Sequence, residues 1–348
     1  MARQPFTEKP VDIFQALPKV DLHRHLEGSL RLDTMADIAR NEDIPVPKVA
    51  SELKPLVQMM DGEDYGFRNF LAKFQTLRLF YRSPEIIARV AREAVEDAAL
   101  DNLFYLELRF TPVALARVQN FCLADVMDWV CESVAQASQE FNLPTRLIAS
   151  VNRHEPVKQA EQVVSLAVER AGHGIAGLDL AGNEAEFLAE PFTGIFRQAR
   201  SAGLKVTLHT GEWGGAANVR QAIEILEADR IGHGVRVLED PEVCDLARER
   251  AIPFEVCITS NVQTGVVPGY GSHPLPGMLK VGLNAVINTD DPGISQITLG
   301  DEYRRAHQEL DLTVETLVKR LMAAVKAAFL PDADREVLAN RLKAALTT

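Results

Sequence analysis

Polar residues that could do chemistry together recur at the ends of apolar runs. The first run reads Val20-Asp21-Leu22-His23-Arg24-His25-Leu26-Glu27-Gly28. Side chains alternate across a strand, so His23 and His25 point to one side and could share a metal ion. A His-x-His pair alone is weak evidence. Three further runs add to it: Thr207-Leu208-His209-Thr210-Gly211-Glu212, Ile231-Gly232-His233-Gly234 and Asn288-Thr289-Asp290-Asp291-Pro292. Taken singly, each polar residue reads as a hydrogen-bonded structural group. As strands of one parallel barrel, their C-terminal ends share a mouth where four His, one Glu and two Asp converge. Three imidazoles and a carboxylate suit Zn2+, with a position left for a water whose pKa the ion lowers to about 7. Many two-metal hydrolytic barrels place a bridging lysine at the end of strand four. Here that stretch is Gly177-Leu178-Asp179-Leu180-Ala181-Gly182, so one metal is expected, not two.

The elements that must position these groups can be read from the same pattern. Eight short runs rich in Val, Ile, Leu and Phe read as strands buried on both faces. They are Lys19–Leu26, Leu103–Phe110, Arg146–Val151, Gly174–Leu180, Leu204–His209, Arg230–Gly234, Pro253–Cys257 and Asn284–Thr289. Helical patterns lie between them. Ser83-Pro84-Glu85 reads as a cap with Pro at the first helical position, and apolar residues recur at Ile86, Ile87, Val90, Ala94 and Val95 up to Leu100. Asp240-Pro241-Glu242 starts another helix in the same way. Val314, Leu317, Val318, Leu321, Met322 and Val325 form one apolar stripe. Strand then helix, eight times over, predicts an α/β chain folded as a closed (β/α)8 barrel with extra C-terminal helices. A doubly wound open sheet is the runner-up, but no G-x-G-x-x-G follows the first strand. About 75 residues separate strands one and two, far more than one helix needs. Residues 29–101 are therefore read as a helical lid insertion in a single barrel domain spanning 1–348. Extra helices packed outside the barrel are an equal alternative for part of that segment.

Length and charge narrow the classes. At about 150 residues per domain, 348 residues fit one large barrel or two ordinary domains. Lys+Arg 37 against Asp+Glu 49 gives a net charge of −12, which disfavours nucleic acid and anionic membranes as partners. With 47% hydrophobic and 25% charged residues, bulk disorder is excluded. No apolar stretch approaches the roughly 20 residues that span a bilayer, and the first residues lack a signal peptide's apolar core. Cys122, Cys131, Cys244 and Cys257 are scattered without a Cys-x-x-Cys, which reads as free thiols in a reducing cytoplasm. The chain carries no signal for oligomeric state.

The segments LHRHLEG, YLELRFTP, LDLAGNE, LHTGE, RIGHG, TSNVQTG and NTDDPG resemble the adenosine deaminase family, in the family's order, from residue 20 to about 305. The resemblance implies zinc-dependent hydrolytic deamination of adenosine and 2′-deoxyadenosine to inosine, 2′-deoxyinosine and ammonia, a step of purine salvage. It implies His23, His25, His209 and Asp290 as zinc ligands, with His25 also beside the substrate. His233 would hold the attacking water and help deprotonate it. Asp291 would orient that water or hydrogen-bond the purine N7. Glu212 would protonate N1, which needs a carboxyl kept neutral by burial against apolar walls such as Trp213. Gly182 would offer its backbone N–H to N3, a glycine permitting close approach.

Glu27 departs from the pattern. Many adenosine-specific relatives carry Asp there, against the sugar 5′-hydroxyl, and Glu would shift the carboxylate by about 1.5 Å. His-Leu-Glu-Gly is frequent in members acting on adenine or 6-aminodeoxyfutalosine, which are the alternative substrates. Asp-Leu-Ala-Gly-Asn-Glu and Thr-Ser-Asn-Val-Gln-Thr-Gly resemble the adenosine-acting bacterial branch, and the balance favours adenosine. A different metal-dependent amidohydrolase on the same barrel is the second alternative. A non-catalytic binder is disfavoured because every expected ligand and acid is present. Of the remaining groups, His154 is expected to be structural near the mouth and His173 to lie at the opposite face. His273 is expected to line the site or cap a turn, and His307 to sit on the surface. Ser260 and Asn261 are expected to order the mouth, and Phe67, Phe70, Phe74 and Phe80 to form either an apolar wall around the sugar or the lid's own core, the core for most of them.

Overall fold

A computed structural model describes residues 12–347. Its eight strands are β1 (Lys19–His25), β2 (Leu103–Phe110), β3 (Thr145–Asn152), β4 (Ile175–Ala181), β5 (Lys205–Thr210), β6 (Arg230–His233), β7 (Pro253–Val256) and β8 (Asn284–Ile287). They pair in parallel and in chain order. That order rules out the doubly wound alternative, which needs a strand reversal. The sheet closes between β8 and β1 through the Arg24–Asp290 bridge. At this seam the His25 N–H donates to the Asp290 carbonyl and the Asp290 N–H to the His23 carbonyl, both at 2.8 Å. Backbone pairing thus fixes three of the chemically interesting residues against one another.

Helices separate the strands because each crossover needs one, and their starts follow local chemistry. The Ser83 side chain accepts the Ile86 N–H at the head of Pro84–Leu100, and Asp240 caps Pro241–Glu249 through the Glu242 N–H. Helix Val314–Ala327 buries Leu317, Leu321 and Val325 from its apolar stripe. The extra C-terminal helix is Asp332–Leu346. No helix among the described residues is long and apolar enough to cross a membrane.

Inside the barrel, fully buried charges sit where a short apolar strand would ordinarily place only hydrophobes. Arg109 on β2 and Arg230 on β6 both bond Glu255 on β7, Arg109 at 2.8 Å, and Arg230 also donates to the Ala327 carbonyl at 2.9 Å. Burying such ions is costly unless each is paired, and here every carboxylate of the set has a partner.

Segment 29–101 contains helices Leu32–Asn41, Ala50–Val57, Phe67–Leu77 and Pro84–Leu100. The last packs against helix Leu123–Glu140 and β2, as an ordinary barrel helix does. Helix Phe67–Leu77 instead turns Phe70, Leu71 and Phe74 toward the barrel mouth.

Candidate active site

The strand ends converge as expected. His25, Glu27, Gly182, His209, Glu212, His233, Asp290 and Asp291 all line one open-mouthed cavity of about 260 Å3. His23 lies beneath it, fully buried, with its ring 4.6 Å from that of His209. Each predicted site residue is thus brought to the same place.

His23, His25, His209 and Asp290 put one donor atom apiece within 4.8 Å of one another. Their hydrogen bonds decide what those atoms can do. The His23 Nδ1 lies 2.7 Å from Glu255 and the His209 Nδ1 lies 2.9 Å from Asp179. A carboxylate accepts, so both Nδ1 atoms carry the proton and both Nε2 atoms turn lone pairs inward. The His23 Nε2 has no hydrogen-bond partner although buried. The His25 and His209 Nε2 atoms approach to 3.1 Å, and the Asp290 Oδ1 stands 3.2 Å from His25. Lone pairs and an anionic oxygen crowded in this way suit a shared cation, and a carboxylate behind an imidazole is the arrangement that orients metal-ligating histidines. Burial pushes the His209 imidazole down to about 4 against the pull of Asp179, so it is neutral, as a ligand must be. The residues present fit a single divalent ion with nitrogen-rich ligation.

His233 and Asp290 share a backbone feature that their sequence does not announce. Both adopt left-handed φ, +58° and +66°. For residues with a Cβ this conformation costs about 1–2 kcal/mol each, and such strain gathers at functional sites. Asp290 turns its carboxylate back into the cluster from this position. Gly28 meets the same crowding, since a Cβ there would fall 1.8 Å from the Asp291 Oδ1.

Glu212 is buried, and its polar neighbours are distant: Asn261 Nδ2 at 3.4 Å, Thr264 Oγ1 at 3.5 Å and His233 Nε2 at 3.6 Å. Burial, then the charges of Asp290, Glu184 and Asp291, raise its carboxyl well above the usual range, which favours the protonated form. Trp213 lines the cavity beside it, its ring 5.1 Å from that of Phe67. Burial, then Asp290 and Glu27, likewise raise Asp291, whose Oδ1 is buried without a partner.

A relay fixes the tautomer of His233. The Leu275 N–H donates to His273 Nδ1, so His273 Nε2 carries the proton and donates to Asn261 Oδ1 at 3.2 Å. The Asn261 amide then turns its NH2 to His233 Nδ1, also at 3.2 Å. His233 therefore presents an Nε2–H to the cavity. His273 thus does more than cap a turn, and Asn261 orders the mouth as expected. The Ser260 Oγ, by contrast, has no partner.

His154 is exposed and lines the cavity near the mouth. Phe70 and Phe80 belong to the core and Phe74 packs against it, as expected for most of the four. Phe70 and Phe74 also line the cavity and Phe67 packs on Trp213, because one side of helix Phe67–Leu77 looks into the mouth. His307 is on the surface and His173 precedes β4 at the far face, as expected.

Sequence reasoning missed the groups behind the site. Glu255 and Asp179 orient His23 and His209, and Arg153 donates to the His209 carbonyl at 2.7 Å. The available signal was a charge in the middle of a strand buried on both faces. Glu184 was missed as well. Its carboxylate accepts the backbone N–H groups of Gly211, Glu212 and Trp213 at 2.9, 2.6 and 2.8 Å, together with the Thr210 hydroxyl and the Asn218 amide. One buried acid thereby pins the turn that aims Glu212. Glu184→Gln exchanges one acceptor oxygen for an NH2 that faces N–H donors. It is expected to lower kcat about 10- to 100-fold by misplacing Glu212, with metal content unchanged by elemental analysis. A wild-type kcat would show that the turn holds itself.

The adenosine deaminase family model matches residues 18–345. The adenosine deaminase of Klebsiella pneumoniae is 38% identical over 95% of this chain and 99% of its own length. Among solved structures, an amidohydrolase of Burkholderia ambifaria with bound Zn superposes with a TM-score of 0.87 at 26% identity, covering 99% of this chain and 97% of its own. The arabidopsis ADAL complexed with IMP superposes with a TM-score of 0.85 at 26% identity, over 96% of this chain and 98% of its own. Agreement along nearly the full length, on a barrel whose strand ends bring the same motifs together, places the chain in the adenosine deaminase family.

Proposed function

We propose that this chain hydrolytically deaminates adenosine and 2′-deoxyadenosine, in the cytoplasm, as a single catalytic barrel domain in which helix Phe67–Leu77 of segment 29–101 serves as a lid. The observation that carries the reading is a buried Glu212 on the same cavity as the His23–His25–His209–Asp290 cluster. The three imidazoles and the Asp290 carboxylate would hold one zinc ion. When bound, that ion lowers the pKa of a water to about 7.

The chain's own groups account for the rest. Attack at C6 pushes electrons into the ring, and Glu212 gives them an outlet by protonating N1. The purine N7 has only a lone pair, so it needs a donor, and Asp291 with its raised pKa can be one. Gly182 lines the cavity with φ +94°, and its N–H would meet N3. His233 Nε2–H stands 3.6 Å from Glu212 and 3.8 Å from Asp290, placed to hold the attacking oxygen between them. The C6–O bond forms and the C6–N6 bond breaks. One water proton leaves with ammonia and the other restores Glu212. Donors fixed before reaction stabilise the charge developing on oxygen without reorganising.

The decisive assay follows the purine absorbance of adenosine, 2′-deoxyadenosine and adenine side by side with the zinc-loaded protein. Adenosine and 2′-deoxyadenosine should turn over well and adenine poorly; the reverse order would overturn the nucleoside assignment. Glu27 gives a sharper check. Its Oε1 accepts the Thr111 N–H at 2.6 Å while its Oε2 is buried without a partner. If Oε2 meets the sugar, Glu27→Asp should raise the adenosine-to-adenine ratio of kcat/KM by up to about tenfold. An unchanged ratio removes Glu27 from substrate selection.

A further inference from the structure

One amide touches both groups that carry protons in the proposed reaction. The Asn261 Nδ2 lies 3.2 Å from His233 Nδ1 and 3.4 Å from Glu212 Oε1. An NH2 has two hydrogens, one for each. Asn261 is fully buried and lies behind the cavity wall, so it meets these groups and not the substrate. Its orientation is forced. The Leu275 N–H takes the one lone pair of a neutral His273 ring, at 3.1 Å, and burial keeps that imidazole neutral by pushing it down to about 3. The His273 Nε2–H then finds its acceptor in the Asn261 Oδ1, and a flipped amide would set NH2 against N–H. The backbone is held as well. Asn261 sits on the short helix Ile258–Gln263, where the Thr259 N–H bonds the buried Glu302 carboxylate at 3.1 Å.

The second amide hydrogen decides which edge of Glu212 is free. The Thr264 hydroxyl, 3.5 Å from the same Oε1, gives its one hydrogen to the Ser260 carbonyl at 2.8 Å. Asn261 is therefore the side-chain donor that reaches Oε1 among the described residues. In a neutral carboxyl the oxygen that accepts an N–H is the carbonyl oxygen. The Glu212 proton then belongs on Oε2, the oxygen 3.6 Å from His233 Nε2. We infer that Asn261, locked by His273, is a positioning residue that turns both hydrogens of the reaction, the His233 Nε2–H and the Glu212 Oε2–H, into the cavity. This rests on the deaminase reading above and adds to it two residues that lie outside the cavity wall.

The test reads the ring protons directly. In the zinc-loaded wild type, nitrogen-15 spectra of histidine-labelled protein should show His233 protonated at Nε2 and bare at Nδ1, the signals being assigned by their loss in His233→Gln. Asn261→Asp keeps the shape and replaces both N–H donors by a carboxylate oxygen, so His233 Nδ1 should gain a proton. Turnover should fall about 10²-fold in kcat, as when a preorganised donor is lost, with KM within about threefold and metal content unchanged. In a Glu212→Gln background the same change should cost less, because one of its two targets is already gone. A proton on His233 Nδ1 in the wild type, an Nδ1 left bare in Asn261→Asp, or full additivity of the two substitutions overturns the proposal. If Asn261→Asp does not fold, His273→Gln and His273→Leu decide. Glutamine keeps an N–H donor near the Nε2 position and should keep most of kcat, whereas leucine frees the amide to flip and should lose about tenfold. Equal rates in those two would overturn the role of Asn261. The nitrogen-15 readout needs no turnover. If no 6-aminopurine nucleoside is deaminated, the deaminase reading falls, and the ring protons still judge whether Asn261 sets the His233 tautomer.

Discussion

Glu212→Gln is expected to keep its metal and its affinity for adenosine and to lose about 10³-fold in kcat. Glutamine has the same shape and remains buried beside Asn261 and Thr264. Its amide can donate a hydrogen bond to N1 but cannot hand over the proton. Binding of the ground state is therefore preserved while the electron outlet at N1 is lost, so the effect falls on kcat more than on KM. Glu212 lies outside the four-residue cluster, and metal content should stay at the wild-type level. Elemental analysis with steady-state rates separates the two roles. A variant with near-normal turnover would refute proton donation by Glu212. A variant that loses its metal would show Glu212 to be part of the ligand shell.

The residues at this site could be found from sequence because a parallel barrel converts a one-dimensional pattern into a place. Any polar residue that ends a buried strand must lie at the common mouth, so His25, His209, His233 and Asp290 could be grouped before any coordinates. The strand positions followed from apolar runs too short for helices, and the observed ends differ by no more than about two residues, as strand boundaries ordinarily do. What escaped were interactions that depend on which atoms meet. The choice of Glu184 to hold the turn before Glu212 depends on its reach from the β4 end to three consecutive N–H groups. The tautomer of His233 is set by Leu275 through His273 and Asn261, across two loops. Phe70 is core and Phe74 packs against it, yet both also line the cavity, because helical periodicity marks an apolar face without saying whether another helix or a ligand covers it. The barrel's buried Glu255 could have been suspected from its place in Pro253-Phe254-Glu255-Val256, but its partners Arg109, Arg230 and His23 come from three other strands.

Asp290→Ala should cost the protein its metal. Asp290 is the only carboxylate in the four-residue group, and its Oδ1 stands 3.3 Å from His23 and 3.2 Å from His25. Burial would ordinarily raise a carboxyl, yet the close His23 and His25 imidazoles hold Asp290 well below its usual value, so it remains an anionic donor. Removing a group that merely orients a ligand costs about 10- to 100-fold in metal affinity; removing a ligand itself should exceed about 100-fold, with turnover falling in parallel. Two contacts of the residue survive the substitution, because the seam bonds from the His25 N–H to the Asp290 carbonyl and from the Asp290 N–H to the His23 carbonyl belong to the backbone. Alanine must still adopt the left-handed φ of +66°, at a cost of about 1–2 kcal/mol that Asp290 already bears. The variant should therefore fold, with circular dichroism like that of the wild type, while elemental analysis finds little bound metal. Full metal occupancy in a folded Asp290→Ala protein would place the ligand elsewhere, with Cys257 and His233 the nearest donors to examine, since both group with Asp290 within the same 4.8 Å.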